Sequence, residues 1–140
     1  MVIVSVDLGD SRTGIAVCDK LEMLASPVTV IHERYIPRVI DEVSRIVRET
    51  AAELIVVGYP KNMNGTVGER AEKCAAFAAD LSEACGVKTV LWDERLTTVS
   101  AHYALNETKT YGKKRKNVID SVAAVMILQS YLDHRKHHDE

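Results

Sequence analysis

The chain has 140 residues, is 46% apolar and 27% charged, and carries a formal net charge of −2. That length is one domain, 1–140, and the apolar share is enough for a packed core. The charge balance excludes a molecule that draws polyanions to its whole surface, so any nucleic-acid contact has to come from local groups of cations.

Residues 2–6, Val2-Ile3-Val4-Ser5-Val6, form a near-continuous apolar run and predict a central strand. Gly9 to Gly14 is a turn with glycine at both ends. A second strand is predicted over 14–19 and a short third one over 27–31, started by Pro27 and therefore an edge. The connections are too short for crossovers, so these three strands form an antiparallel meander. Ile36, Val39, Ile40, Val43, Ile46 and Val47 then recur at helical spacing, with Pro37 in the first turn. Residues 54–58 read as a buried strand. Val67, Ala71, Cys74, Ala78, Leu81 and Cys85 give a second helix, stopped by Gly86. Residues 89–92 are the fifth strand, a short helix follows Thr97 or Thr98, and a last helix runs from about 117 to 132. The end, about 133–140 with His134, His137 and His138, is expected to be a frayed, solvated tail.

Strands separated by helices imply right-handed crossovers and parallel pairing. The expected fold class is α/β: a five-stranded mixed sheet, three antiparallel strands and then two parallel ones, with helices packed on it. Ligands in such sheets bind beyond the carboxyl ends of the parallel strands. Asp7 and Glu94 fall at that end, and Asp120 lies near the start of the last helix, where Ala123 and Ala124 allow a close approach to the sheet. Gathered carboxylates repel one another and need a cation. Each has an ordinary reading as well: Asp7 as a turn residue, Glu94 as a salt-bridge partner of Arg95 with Asp93 as its rival, and Asp120 as a favourable charge near a helix N-terminus. Together the three predict a divalent-metal site and phosphodiester chemistry.

The cations are unevenly spread. Lys109, Lys113, Lys114, Arg115 and Lys116 lie in a stretch without acids just before the Asp120 helix. A charge run is ordinarily a solvated loop; beside a metal site it is also a candidate for backbone phosphates. Arg12, Lys61 and Arg95 are further phosphate-holding candidates. Cys18, Cys74 and Cys85 are odd in number and lack a C-x-x-C, which argues for reduced thiols and against a disulfide framework. The first apolar run stops at Asp7, too short for a signal peptide or a membrane span, so a cytoplasmic protein with no membrane partner is expected.

The stretches Val6-Asp7-Leu8-Gly9-Asp10-Ser11-Arg12-Thr13-Gly14, Val57-Gly58-Tyr59-Pro60, Asn64-Gly65, Asp93-Glu94-Arg95-Leu96-Thr97-Thr98 and Asp120-Ser121-Val122-Ala123-Ala124 resemble the YqgF-type proteins. Those are RNase-H-fold, Holliday-junction-resolvase-like nucleases that are also assigned to pre-16S rRNA processing. The resemblance implies a single RNase-H-like domain and hydrolysis dependent on Mg²⁺ or Mn²⁺, with two ions, held by Asp7, Glu94 and Asp120. It implies a nucleic-acid partner, pre-rRNA or branched DNA, and a monomer or weak homodimer. Tyr59 stands where the family pattern has leucine, and the chain has one acid in its last helix where junction resolvases bring a fourth to the site. Two other readings compete: a phosphate loop of actin-like ATPases, which need two such domains, and a non-catalytic RNA-binding assembly module.

Overall fold

The structure, a computed structural model, describes residues 1–60, 67–94 and 112–138, with backbone alone at 112–121 and 137–138. β1 (Ile3–Asp7), β2 (Arg12–Cys18) and β3 (Ala25–His32) make the antiparallel meander. β4 (Leu54–Tyr59) pairs parallel with β1, and β5 (Lys88–Asp93) parallel with β4. The order across the sheet is β3-β2-β1-β4-β5, the mixed sheet that the strand pattern predicts.

Period two sorts each strand between two cores. Val4 and Val6 of β1, with Ile15, Ile55 and Val57, pack against α1 (Ile36–Thr50) and α2 (Glu69–Cys85). Ile3, Ala16, Cys18 and Val56 point the other way, against α3 (Gly112–His138). Ser5 and Asp7 share the Ile3 side of β1 by the same alternation. Ser5 is fully buried there, and its hydroxyl donates to the Ala124 carbonyl of α3 at 2.7 Å. A strand side chain reaches a helix carbonyl at that distance because Ala124, itself fully buried, carries only a methyl group.

Several boundaries differ from the sequence pattern, each for a local reason. β3 begins at Ala25, ahead of Pro27, because the sheet absorbs the proline's missing N–H with a register shift opposite Ile15 and Ala16. α2 begins at Glu69 and leaves Val67 exposed. α3 overruns its expected span at both ends. It starts at Gly112, so Lys113, Lys114, Arg115 and Lys116 stand in helical turns and not in a loop, in keeping with the high helix propensity of Lys and Arg. It continues past Leu132 to His138, which corrects the frayed tail over that stretch. Arg135 Nε donates to Glu22 Oε1 at 2.7 Å, and the His134 ring lies 5.0 Å from that of Trp92. These tertiary partners, invisible in the local sequence, hold the last turns. The short helix expected after Thr97 or Thr98 lies outside the described residues.

All three cysteines are free thiols. No helix among the described residues is long and apolar enough to cross a membrane.

The Ser5–Ala124 contact is expected to control how α3 seats. Ala124→Leu should destabilise the fold by about 1–3 kcal/mol through overpacking, and Ser5→Ala by roughly 1 kcal/mol through the lost hydrogen bond, both read from urea denaturation midpoints. An Ala124→Leu protein as stable as wild type would show that the close approach is not required.

Candidate active site

Asp7 is the last residue of β1, half-buried, on the side of the sheet that α3 covers. Its ladder partner in β2 is Gly14. On the parallel half, Gly58 pairs with Trp92 and Tyr59 with Asp93, so Glu94 emerges just past the end of β5. Period two carries Glu94 to the side of Val90 and Trp92, which pack with the α3 core. Its carboxyl group folds back across the mouth of β4. A Cβ at position 58 would stand 2.5 Å from Glu94 Oε1, 3.0 Å from its Cδ and 2.9 Å from Cδ1 of Ile127 in α3. Glycine at 58 therefore leaves a slot for the carboxyl group beneath the helix, and through that slot Glu94 hydrogen-bonds Asp7.

Two carboxyl groups can share a hydrogen bond only if one keeps a proton. Burial, then the Asp7 charge and the Asp7 hydrogen bond, push the Glu94 carboxyl from 4.5 up to about 8; Arg70 pulls it down and Asp93 pushes it up further. The alternative to a shared proton is a bound cation. All the donors are carboxylate oxygens, the set that Mg²⁺ and Mn²⁺ take. Cys74 lies near the same acids, but burial, then the Glu94 charge, push its thiol up to about 11. It stays protonated at neutral pH and brings no thiolate to the site.

Arg70, in the first turn of α2, is a neighbour that the sequence reading misses. Its Nη2 donates to the Leu8 carbonyl at 2.8 Å, immediately after Asp7, and its Nη1 lies 3.7 Å from Asp10 Oδ1. Lys73 Nζ, one turn on, is 3.5 Å from the same oxygen. In sequence these cations alternate with Glu69 and Glu72 and look like an ordinary solvated helix start. Only the fold shows that they close on the loop after β1.

The family model for RuvX, described as Holliday junction resolvase, matches residues 1–134. This chain belongs to the RuvX family. Among curated relatives of this RuvX chain, a "Putative pre-16S rRNA nuclease" from Clostridium novyi (strain NT) is 45% identical over 95% of the chain and 98% of the relative. One of the same name from Shouchella clausii (strain KSM-K16) is 41% identical over 98% of each. Among solved structures, T. thermophilus RuvC in complex with Holliday junction substrate superposes with a TM-score of 0.64 at 12% identity, over 98% of this chain and 96% of that one. Fowlpox virus resolvase with its substrate Holliday junction DNA gives 0.61 at 12%, over 96% and 99%. At that identity the structural likeness shows the fold, which is RNase-H-like, as the YqgF-type resemblance implies.

Of the residues singled out in the RuvX sequence, Asp7 and Glu94 come together. Arg12, half-buried, starts β2 on Asp7's side of the sheet, two positions beyond Gly14, and borders a cleft of about 370 Å³ with Ser11, His32, Glu33 and Arg34. Asp120 and Lys113 to Lys116 stand on the α3 backbone, and their side chains lie outside the described residues. Lys61 and Arg95 lie outside them altogether. Among the described residues no group of three His, Cys, Asp or Glu side chains converges at metal-binding spacing.

Two outcomes follow from this geometry. The three atoms nearest a Cβ in Gly58→Ala are the flexible side-chain ends of Glu94 and Ile127, so it should cost little stability yet displace the Glu94 carboxyl; Mg²⁺-induced thermal stabilisation should drop markedly while urea midpoints barely move. An unchanged Mg²⁺ response would refute the slot. The second outcome concerns pH. Because Glu94 titrates higher in the folded state than at its ordinary 4.5, its contribution to stability is full below 4.5 and is lost as pH rises towards about 8. In chelator, wild-type Tm should fall over that window more than that of Glu94→Gln, and excess Mg²⁺ should offset the fall at its upper end. Parallel Tm profiles for the two proteins would contradict the raised value.

Proposed function

We propose that this chain is a metal-dependent nuclease that hydrolyses phosphodiester bonds at the Asp7–Glu94 centre, and that its substrate is the 5′ end of pre-16S rRNA. The observation that carries the reading is the hydrogen bond between two half-buried carboxyl groups at the carboxyl ends of β1 and β5. Membership of the RuvX family supports nuclease chemistry, and the name shared by relatives 41–45% identical over nearly the whole chain supports the rRNA substrate.

Asp120 is proposed as the third acid. α3 crosses β1 with Ala124 over Ser5. Position 120 lies one helical turn before Ala124, a step of ~6 Å, and Asp7 lies two strand residues beyond Ser5, a step of ~6.6 Å. Towards its C-terminus α3 reaches Glu22 through Arg135, and Glu22 also pairs with the Met1 N-terminus ahead of β1, so the two elements run in opposite directions and the two steps lead towards the same level. Asp7, Glu94 and Asp120 would together hold the metal. Two Mg²⁺ or Mn²⁺ ions, when bound, supply an activated water and stabilise the leaving oxygen. The chain's own part is to present ionised oxygens, to keep the Glu94 carboxyl beneath α3 away from bulk water, and to hold neighbouring phosphates. Arg12, which borders a cleft with Ser11 and His32, is proposed for that last task, and Lys61, Arg95 and the Lys113, Lys114, Arg115 and Lys116 group are proposed to share it. The first turn of α3 carries no acid, and cations at a helix N-terminus oppose the macrodipole; an anion bound there removes the conflict.

A second reading, resolution of four-way DNA junctions, is favoured by the family's description and by the fold it shares with RuvC. Symmetric junction cleavage calls for a dimer, and rRNA trimming does not. Purified protein tested on a pre-16S transcript and on a four-way junction, with Mg²⁺, Mn²⁺ or chelator, separates the two. Metal-dependent trimming of the transcript is expected. Asp7→Asn should lower it by more than about 100-fold, beyond what loss of an outer-shell partner costs, with the circular dichroism spectrum unchanged. Junction cleavage without trimming would assign the second reading, and full activity in Asp7→Asn would reject the centre itself.

A further inference from the structure

We propose that Arg70 and Lys73, at the head of α2, form a docking site for a backbone phosphate of the nucleic acid, and that Asp10 fills that site until the nucleic acid arrives. This rests on the nuclease reading and adds a contact track on the side of the centre away from α3.

Two cations converge on one oxygen. Arg70 Nη1 and Lys73 Nζ lie 3.7 and 3.5 Å from Oδ1 of Asp10. The three side chains are 51%, 52% and 75% exposed. Ion pairs this open contribute little to stability and are screened by salt, so holding the fold together does not account for the convergence. An oxyanion between an Arg fork and a Lys ammonium is also the arrangement that binds a phosphate. The Asp10 carboxylate presents that chemistry from within the chain, on a flexible and largely solvated side chain that is cheaply displaced.

The guanidinium does not depend on Asp10 for its position. Its second nitrogen is tied to the Leu8 carbonyl at 2.8 Å, so the fork stays aimed when the carboxylate swings away. Leu8 directly follows Asp7, which sets the cation pair beside the acid pair. Arg70 and Lys73 share one face of α2 at i,i+3 spacing, near the helix's positive end. Glu69 and Glu72, exposed on the same first turn, weaken the general field there, so attraction has to come from the directed contacts. A phosphate in the place of Asp10 makes those contacts with both cations and carries its strand across the head of α2 towards Glu94.

The test is fluorescence anisotropy in chelator, where no cleavage occurs, with a labelled pre-16S RNA fragment and a labelled four-way junction titrated at several salt concentrations. Lys73→Gln and Arg70→Gln should each weaken binding and flatten the log–log salt dependence by about one unit per lost phosphate contact. Arg70→Lys, which keeps the charge should Arg70→Gln perturb the loop, should retain most of the slope. Asp10→Asn should tighten binding, because it removes the competing anion. Weaker binding in Asp10→Asn would show that Asp10 positions the cations and does not stand in for phosphate. Slopes unchanged in both glutamine variants would overturn the inference while leaving the nuclease reading intact. A wild-type protein that binds neither probe would overturn both.

Discussion

The structure turns on one electrostatic constraint: two carboxyl groups, Asp7 and Glu94, are held in hydrogen-bond contact where burial already disfavours the charged form of Glu94. Such a pair raises the free energy of the folded state above the pH at which both must ionise, and nothing in the core benefits from it. Its neighbours are arranged to keep it. Gly58 gives up a side chain so that the Glu94 carboxyl has a place to lie. Ala124 gives up bulk so that α3 can roof that end of the sheet. Arg70 binds the backbone one residue beyond Asp7. Local concessions of this kind, gathered at the ends of strands, mark a functional site more securely than the acids alone.

The two faces of the sheet divide the work. The α1 and α2 side is a conventional apolar core, with Phe77, Leu81, Val43 and Ile55 essentially excluded from water, and most of the hydrophobic stabilisation resides there. The α3 side also has a buried apolar base, Ile127, Leu128 and Leu132 on Ile3 and Val56. Along β1, however, it changes from Ile3 through Ser5 to Asp7, apolar to hydroxyl to acid. That gradient makes α3 a base-anchored roof. It is held by Leu132 and by the Glu22–Arg135 ion pair at one end, and nearer the acids it seats Ala124 on Ser5 and Ile127 beside Gly58.

How much of this is legible in the sequence depends on the range of the interaction concerned. The strands are short apolar runs bounded by turn residues, and their order follows from connection lengths, so the mixed sheet can be read directly. Edges are harder. Ala25 joins β3 ahead of a proline only because the pairing with β2 tolerates a register shift. The length of α3 is hidden at both ends: Lys113 to Lys116 have no apolar period, and the hold on Arg135 comes from Glu22, far away in sequence. Asp7 and Glu94 stand out because each closes an apolar run. The role of Gly58 does not, because it depends on the register of two parallel strands, which no local pattern encodes. Arg70 is hidden by composition, a cation among acids whose partner is a main-chain carbonyl.

The net charge of −2 then takes on a more specific meaning. A nuclease must attract a polyanion to a place where it also concentrates acids, and these demands conflict within the range of a Debye length, roughly 8 Å at physiological salt. Spreading cations over the whole surface would invite non-specific binding. Here Arg12 stands on the neighbouring strand two positions beyond the ladder partner of Asp7, Arg70 and Lys73 stand on α2, and the basic run stands on the first turns of α3. These positive groups come from three separate elements, and around Arg70 and Lys73 they are interleaved with Asp10, Glu69 and Glu72. The resulting field is weak at a distance and strong only along particular contacts. If these are the contacts that hold nucleic acid, selection rests on whether its phosphates can reach several of them at once, a demand of shape.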